Sequence, residues 1–268
     1  MPAFLSSGYT SAPMLFTVEE RSRMRRELIG LAERDKRLSG VAITGSAAAD
    51  REDRWSDIDL AFGVADANEL DKVLGDFTGH MYDRYRAVHH VDVTAGAWIY
   101  RVFFLPGTLQ VDLAFAPSAE FRPLGATFKL ISGSANPLRP FPSPKPKDIM
   151  GLGWLYALHA RTCILRERPW QAEYMISGVR NHALTLACER LGLPSAHGRG
   201  FDLLPGAIKE QFSGSFVREL QGGELWRALD AAVRGLLNEI RQVDEEFAAR
   251  IENELLQVAT LPRLNSNE

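Results

Sequence analysis

The 268-residue sequence contains only two cysteines, Cys163 and Cys188. Two thiols cannot form a disulfide framework or a four-thiolate zinc site, and we expect both to be small buried residues of helices in a reduced protein. No apolar run approaches the roughly 20 residues needed to span a bilayer. The segment 1–17 lacks the basic start of a signal peptide. These absences predict a cytoplasmic protein with no membrane partner.

The sequence also lacks an excess of positive charge. Its 31 basic and 34 acidic residues give a formal net charge of −3, whereas a protein that binds nucleic acid through its phosphates is usually basic. Nucleic acid is therefore disfavoured as a partner. With 46% hydrophobic and 24% charged residues, the composition is that of a globular protein and excludes a disordered chain.

The first half of the sequence alternates predicted helices with short predicted strands. A charged run with a narrow apolar stripe predicts a helix over 18–38 that packs one face on a sheet. A second helix is predicted over 67–77, with Asp66 as its cap and an end near Gly79. Apolar segments between turn residues predict strands over 41–44, 56–64, 87–94, 98–105 and 109–115. This alternation indicates a mixed α/β unit.

A proline-rich segment separates the two halves of the sequence. The prolines within 136–147 prevent regular structure and stiffen the chain. We therefore predict one domain over 1–135, a linker over 136–147 and a second domain over 148–268.

The second half of the sequence is predicted to be helical, with helices over 148–167, 170–191 and 223–258. In the middle helix, apolar residues with helical spacing predict a core-facing stripe of Ile176, Val179, Ala183, Leu186 and Ala187. The predicted fold class is α+β: an N-terminal mixed β-sheet domain flanked by helices, and a C-terminal all-α helical bundle.

A Gly-Ser pair follows the first predicted strand. Gly45 has no side chain, so the backbone can turn sharply there. Backbone amides and the Ser46 hydroxyl can then approach an anion closely. Gly45 and Ser46 are therefore candidates for binding a triphosphate.

Three acidic residues lie on predicted strands. Asp57 and Asp59 alternate with apolar residues, which places both carboxylates on one face of a strand. Asp112 lies between two apolar residues in the same way, and a neighbouring strand could bring it beside the pair. Clustered carboxylates repel one another unless a hard divalent cation such as Mg²⁺ or Mn²⁺ neutralises them. Three acids beside a phosphate-binding turn can hold two metal ions about 3.5 to 4 Å apart.

These residues give the sequence a resemblance to the DNA polymerase β-like nucleotidyltransferase superfamily. The shared pattern over about 41–115 is Gly45-Ser46, ten intervening residues, the pair Asp57 and Asp59, and a third acid, Asp112. A helical domain follows in the antibiotic-modifying members, as it is predicted to do here. Asp50 departs from the pattern, since many relatives have glycine at this position.

The resemblance implies an enzyme that transfers a nucleoside monophosphate to an acceptor and releases pyrophosphate. It implies that Gly45 and Ser46 hold the triphosphate and that Asp57, Asp59 and Asp112 hold Mg²⁺ or Mn²⁺. Asp112 would complete the site as a metal ligand alone, or also as the base that takes the proton of the acceptor hydroxyl. The co-substrate would be ATP or another nucleoside triphosphate.

The sequence indicates the class of acceptor molecule less clearly than it indicates the reaction. The acidic charge balance and the two-domain size favour a small hydroxylated molecule, such as an aminoglycoside or lincosamide antibiotic, and a protein that is a monomer or homodimer. Two alternatives remain: nucleotidylation of a protein or an RNA end, and a non-catalytic regulatory protein that only binds nucleotide.

One helix of the second half carries a further candidate. Glu173, Ser177 and Arg180 share the helix face opposite the apolar stripe. Arg180 is a candidate for contacting a nucleotide phosphate, and an ordinary solvated helix face explains the same pattern equally well.

Overall fold

A computed structural model describes residues 15–139 and 144–260. Most of the segment 1–17 and part of the predicted linker, with Pro140 and Pro142, lie outside these residues. The chain divides into two compact units, Met1–Pro142 and Ser143–Glu268. The first unit combines a sheet with helices and the second is helical, so the predicted α+β class is confirmed.

The first unit is built on a six-stranded mixed sheet with the strand order β3-β4-β5-β2-β1-β6. Strands β2 and β5 pair in parallel, and the other neighbouring strands pair antiparallel. The strands are β1 (Leu38–Thr44), β2 (Ile58–Val64), β3 (His89–Ala95), β4 (Trp98–Phe104), β5 (Gln110–Pro117) and β6 (Phe128–Gly133). The helices are α1 (Val18–Arg34), α2 (Gly45–Ala48) and α3 (Leu70–Tyr85).

One face of the sheet forms the main core of the first unit. Leu60 of β2 and Leu113 of β5 are fully buried there, together with Leu28 of α1 and Phe77 of α3. Since side chains alternate along a strand, the residues next to these leucines project from the opposite face. The central strands therefore present Asp59 and Asp112 on the face away from this core.

Several predicted boundaries in the first unit were wrong. Helix α1 ends at Arg34 and β1 already begins at Leu38, within the predicted helix 18–38. The predicted helix 67–77 begins as a 3₁₀ turn, for which Asp66 is the cap as predicted. Its continuation α3 passes Gly79 and reaches Tyr85 because Phe77 and Met81 pack into the core, and packing outweighs the low helix propensity of glycine.

Two further differences concern the strands of the first unit. Strand β2 begins at Ile58, so Asp57 lies just before the strand rather than on it. Strand β6 was not predicted, because its residues are partly or largely exposed and show no apolar alternation.

The second unit consists of packed helices, with the apolar stripe Ile176, Val179, Ala183, Leu186 and Ala187 fully buried as predicted. Its helices are α4 (Pro146–Leu165), α5 (Pro169–Arg190), α6 (Gly206–Ser213), α7 (Gly222–Val243) and α8 (Glu245–Val258). Cys163 and Cys188 are buried and unbonded to each other. None of the helices that the structure describes has the length and apolarity needed to cross a membrane.

The predicted helix 223–258 is in fact two helices. Asp244 has an extended backbone and its carboxylate accepts a hydrogen bond from the amide of Phe247. This is the geometry of a helix N-cap, which ends α7 and starts α8. Pro146 is also the first residue of α4, where its missing N–H costs nothing, so the regular structure begins inside the predicted linker.

Candidate metal and nucleotide site

The structure brings Asp57, Asp59 and Asp112 together. Asp59 on β2 and Asp112 on β5 are direct partners in the parallel register of the two strands, and Asp57 immediately precedes β2. One carboxylate oxygen from each residue lies within 4.8 Å of the other two, and all three residues are half-buried. The parallel pairing of β2 with β5 therefore brings Asp112 beside Asp59, although the two residues are distant in the sequence.

The donor set fits a hard divalent cation. Mg²⁺ and Mn²⁺ prefer carboxylate oxygens and keep further positions for water or phosphate. Oxygens that share one Mg²⁺ at about 2.1 Å lie no more than about 4.2 Å apart. One carboxylate oxygen of each residue lies within 4.8 Å of the other two, a grouping that could hold a divalent cation.

Asp112 has an unusual electrostatic environment. Burial raises its pKa to about 6, and the negative charge of Asp57 adds to this increase. The side chain of Gln110 opposes it, because Nε2 donates a hydrogen bond of 2.9 Å to Asp112 Oδ1. A carboxylate with a pKa near 6 is a better proton acceptor at neutral pH than an ordinary aspartate.

Gly45 lies directly against Asp59. Its φ of +62° is in the left-handed region, and a Cβ at this position would overlap the Asp59 carboxylate. Glycine is thus required both by the turn and by the close approach of the backbone to the acid. The Gly-Ser turn predicted as a phosphate site consequently touches the acidic cluster.

Ser46 is part of the short helix α2, which was predicted only as a turn. Its carbonyl accepts hydrogen bonds from the amides of Ala49 and Arg51 and closes the chain into a compact loop. Asp50, the residue that departs from the predicted pattern, has a φ of +52°. Aspartate is one of the few residues that tolerate this left-handed conformation, which explains how the departure is accommodated.

Arg180 lies on α5 of the second unit. Its guanidinium donates to Ser177 Oγ at 3.0 Å and to the carbonyl of Ser215 at 3.1 Å, and it lies 4.3 Å from the ring centroid of Phe216. Ser177 in turn donates to Glu173 at 2.6 Å. The predicted polar face is therefore a connected group of side chains, and the contact of Arg180 with a phosphate stays a prediction.

Sequence reasoning missed two residues beside the acids. Gln110 lies two residues before Asp112 on the same face of β5, so strand alternation was the available signal. Arg21 of α1 contacts the loop that leads to Asp57. Its spacing from the buried Leu28 and Ala32 places it on the core-facing side of the helix, a position that is unusual for arginine.

Comparisons with known proteins add little to this geometry. No protein-family model and no curated protein matches the sequence. Among solved structures, the chain resembles an aminoglycoside 6-adenyltransferase from Bacillus subtilis, with 13% identity over 92% of this chain and all of that chain, and a TM-score of 0.40. Similarity this low carries no argument about function, so any functional assignment depends on the site itself.

Proposed function

We propose that this protein is a divalent-metal-dependent nucleotidyltransferase that transfers a nucleoside monophosphate, most simply AMP from ATP, to a hydroxyl of a small molecule. The observation that carries the proposal is the convergence of Asp57, Asp59 and Asp112 at a turn whose glycine contacts one of the acids. A cluster of carboxylates next to a sharp Gly-Ser turn suits a metal-bound triphosphate.

The residues divide between holding the triphosphate and holding the cation. The backbone amides of Gly45 and Ser46 would bind the phosphates, at the turn that the left-handed φ of Gly45 forms. Asp57, Asp59 and Asp112 would bind Mg²⁺ or Mn²⁺. When bound, the cation neutralises the triphosphate and makes the attacking hydroxyl more acidic.

Asp112 would also receive the proton of the acceptor hydroxyl. In the proposed reaction the acceptor oxygen forms a bond to the α-phosphorus while the bond from that phosphorus to the pyrophosphate oxygen breaks. The proton of the hydroxyl would pass to the Asp112 carboxylate. Pyrophosphate leaves with the electron pair of the broken bond.

A shallow cavity lined in part by Gln110 supports a small acceptor. Gln110, which donates to Asp112, also lines this cavity of about 240 Å³. The volume is somewhat below the usual range of about 300 to 1,000 Å³ for small-molecule pockets, so it would take one portion of the acceptor. The lining residues are His89, His90, Val91, Val102, Phe103, Phe104, Thr108 and Gln110.

The chemistry of this cavity narrows the acceptor further. Val102 is the register partner of Asp112, and Val91 is the register partner of Val102, so an apolar row extends from the acid across the sheet. Val91 and Phe104 are more than half exposed. This surface suits an acceptor that carries its hydroxyl beside an apolar group.

The test is pyrophosphate release from each nucleoside triphosphate with a panel of hydroxylated acceptors, including polycationic amino sugars and neutral amphiphilic compounds. We expect Mn²⁺- or Mg²⁺-dependent release with a small labelled product, lost by at least 1,000-fold, the order of a transition-state electrostatic contribution, in Asp57→Asn and Asp59→Asn. The exposed Asp71→Asn, on α3, is the matched control and should keep full activity. A labelled protein or RNA band would contradict the small-molecule acceptor, and metal-independent release would contradict the proposal itself.

A further inference from the structure

Arg21 on α1 is buried almost completely, with 2% of its side chain exposed. Its Nη1 donates to two backbone carbonyls, that of Asp53 at 2.7 Å and that of Ser56 at 2.8 Å. Its Nε lies 3.5 Å from the carboxylate of Glu52. All of these partners belong to one loop, the segment between α2 and β2.

Burial removes much of the water around this guanidinium, and this loss of hydration is energetically unfavourable. Moreover, Nε has no hydrogen-bond acceptor among the residues that the structure describes. A hydrophobic residue of similar size would fill the same space without leaving a donor unsatisfied. What an apolar residue could not do is hold the two carbonyls, so the role of Arg21 has to be sought in the loop.

The loop ends on a proposed metal ligand. The turn Asp53–Ser56 is closed by its own bonds: the Asp53 amide donates to Ser56 Oγ at 2.9 Å, and the Trp55 amide donates to Asp53 Oδ1 at 2.8 Å. Arg21 attaches this preformed turn to helix α1. The Ser56 carbonyl that it binds belongs to the peptide group whose nitrogen is that of Asp57.

We infer that Arg21 is a positioning residue that sets the backbone of Asp57 and so holds its carboxylate beside Asp59 and Asp112. The inference rests on the proposed function of this acidic cluster as a cation site. Residues that orient metal ligands typically change metal affinity by about 10- to 100-fold when they are replaced.

The direction in which cation affinity changes when Arg21 is replaced distinguishes a positioning role from a purely electrostatic one. Arg21 is positively charged, so removing it would tighten the binding of a cation if its charge were all that mattered. Loss of positioning weakens binding instead. A role confined to stability would lower the unfolding temperature and leave the affinity of the folded protein unchanged.

Arg25 provides a matched control. It lies one turn further along α1, and its Nη1 binds the carboxylate of the same Glu52 at 2.5 Å. Within the described part of the chain, Arg25 bonds to that carboxylate and not to the carbonyls of Asp53 and Ser56. Arg25→Gln therefore removes a similar charge and an ion pair to the same loop but leaves the contact to the Asp57 peptide in place.

The experiment is calorimetric titration of Mn²⁺ alone into the full-length wild type, Arg21→Gln, Arg21→Lys and Arg25→Gln, each checked for folding by circular dichroism. We expect Arg21→Gln to weaken Mn²⁺ binding by at least tenfold, Arg21→Lys to lose less, and Arg25→Gln to stay within about twofold of the wild type. If Arg21→Gln does not fold, the comparison of Arg21→Lys with Arg25→Gln decides, with a weaker Mn²⁺ affinity expected in Arg21→Lys alone.

The outcomes separate this inference from the proposed function. Unchanged or tighter Mn²⁺ binding in the folded Arg21 variants, beside a normal wild-type titration, overturns the role of Arg21 only. Absence of Mn²⁺ binding by the wild type overturns the cation site, and the inference falls with it.

Discussion

Among single residues, Asp112 has a negative charge that lowers the stability of the folded protein, because the carboxylate is partly buried. Burial, followed by the charge of Asp57, raises its pKa in the folded protein to about 6, above the value of about 3.9 for an unfolded chain. The native state therefore binds more protons than the unfolded state between these values. It follows that stability falls as the pH rises through this window, and that the penalty is complete above about pH 6.

Asp112→Asn should consequently stabilise the metal-free protein at pH 7.5. We expect a gain on the order of 1 to 2 kcal/mol, after allowance for partial solvent screening, because the neutral amide removes the buried charge. The gain should vanish near pH 4, where Asp112 is itself protonated. Urea unfolding at both pH values in EDTA measures this, and a loss of stability at pH 7.5 would contradict it.

Gln110 is expected to control the pH dependence of metal binding. A proton and a metal ion compete for Asp112, so Mn²⁺ affinity should decline as the pH falls below about 6. Gln110→Met removes the hydrogen bond that stabilises the charged carboxylate, and should move this decline to higher pH. Calorimetric titrations between pH 5 and 8 test the shift, and superimposable profiles for the two proteins would show that the bond has no such role.

Residues of the site differ in how far the sequence could reveal them. Asp59 follows from alternation along β2 and Asp112 from a similar local pattern. Asp57 was predicted on the same strand and lies just before it. The contact of Gly45 with Asp59 and the bonds of Arg21 to the loop could not be predicted. They depend on which segments the fold brings together and on side-chain positions that no local spacing encodes.

At the scale of elements, α3 shows how packing extends a helix past an unfavourable residue. Gly79 is exposed on this helix, and a Cβ there would meet nothing within 4 Å. Glycine in a helix costs about 0.5 to 1 kcal/mol relative to alanine. Gly79→Ala should therefore stabilise the protein by about this amount in thermal unfolding.

Gly178 of α5 is the contrasting position. A Cβ there would overlap the ring of Tyr156 on α4, so Gly178→Ala should destabilise the protein by about 1 to 3 kcal/mol, as overpacking usually does. Both variants gain the same helix propensity, and only their surroundings differ. Equal effects of the two substitutions would contradict the packing described here.

The elements were predictable where one face is apolar and ambiguous where it is not. The central stretch of α5 follows from its buried stripe. The break between α7 and α8 was missed because apolar spacing continues across Asp244, and a single capping aspartate does not interrupt that pattern. Strand β6 was missed because its exposed positions carry little periodic signal.

At the scale of the whole molecule, the α+β class followed from the change in pattern along the chain, from alternating strands and helices to helices alone. The two units have separate hydrophobic cores. The net charge disfavoured nucleic acid as a partner and the composition excluded a disordered chain. Neither gave information on the reaction. The proposed nucleotidyl transfer depends on a cluster of three aspartates in the first unit.

The most direct test of this account is anomalous diffraction from crystals of the full chain soaked with Mn²⁺ and a non-hydrolysable ATP analogue. We predict an anomalous peak enclosed by Asp57, Asp59 and Asp112, with the triphosphate of the analogue against Gly45 and Ser46, and its loss in Asp59→Asn crystals. Ordered analogue bound elsewhere, or Mn²⁺ that avoids the three carboxylates, would contradict the account.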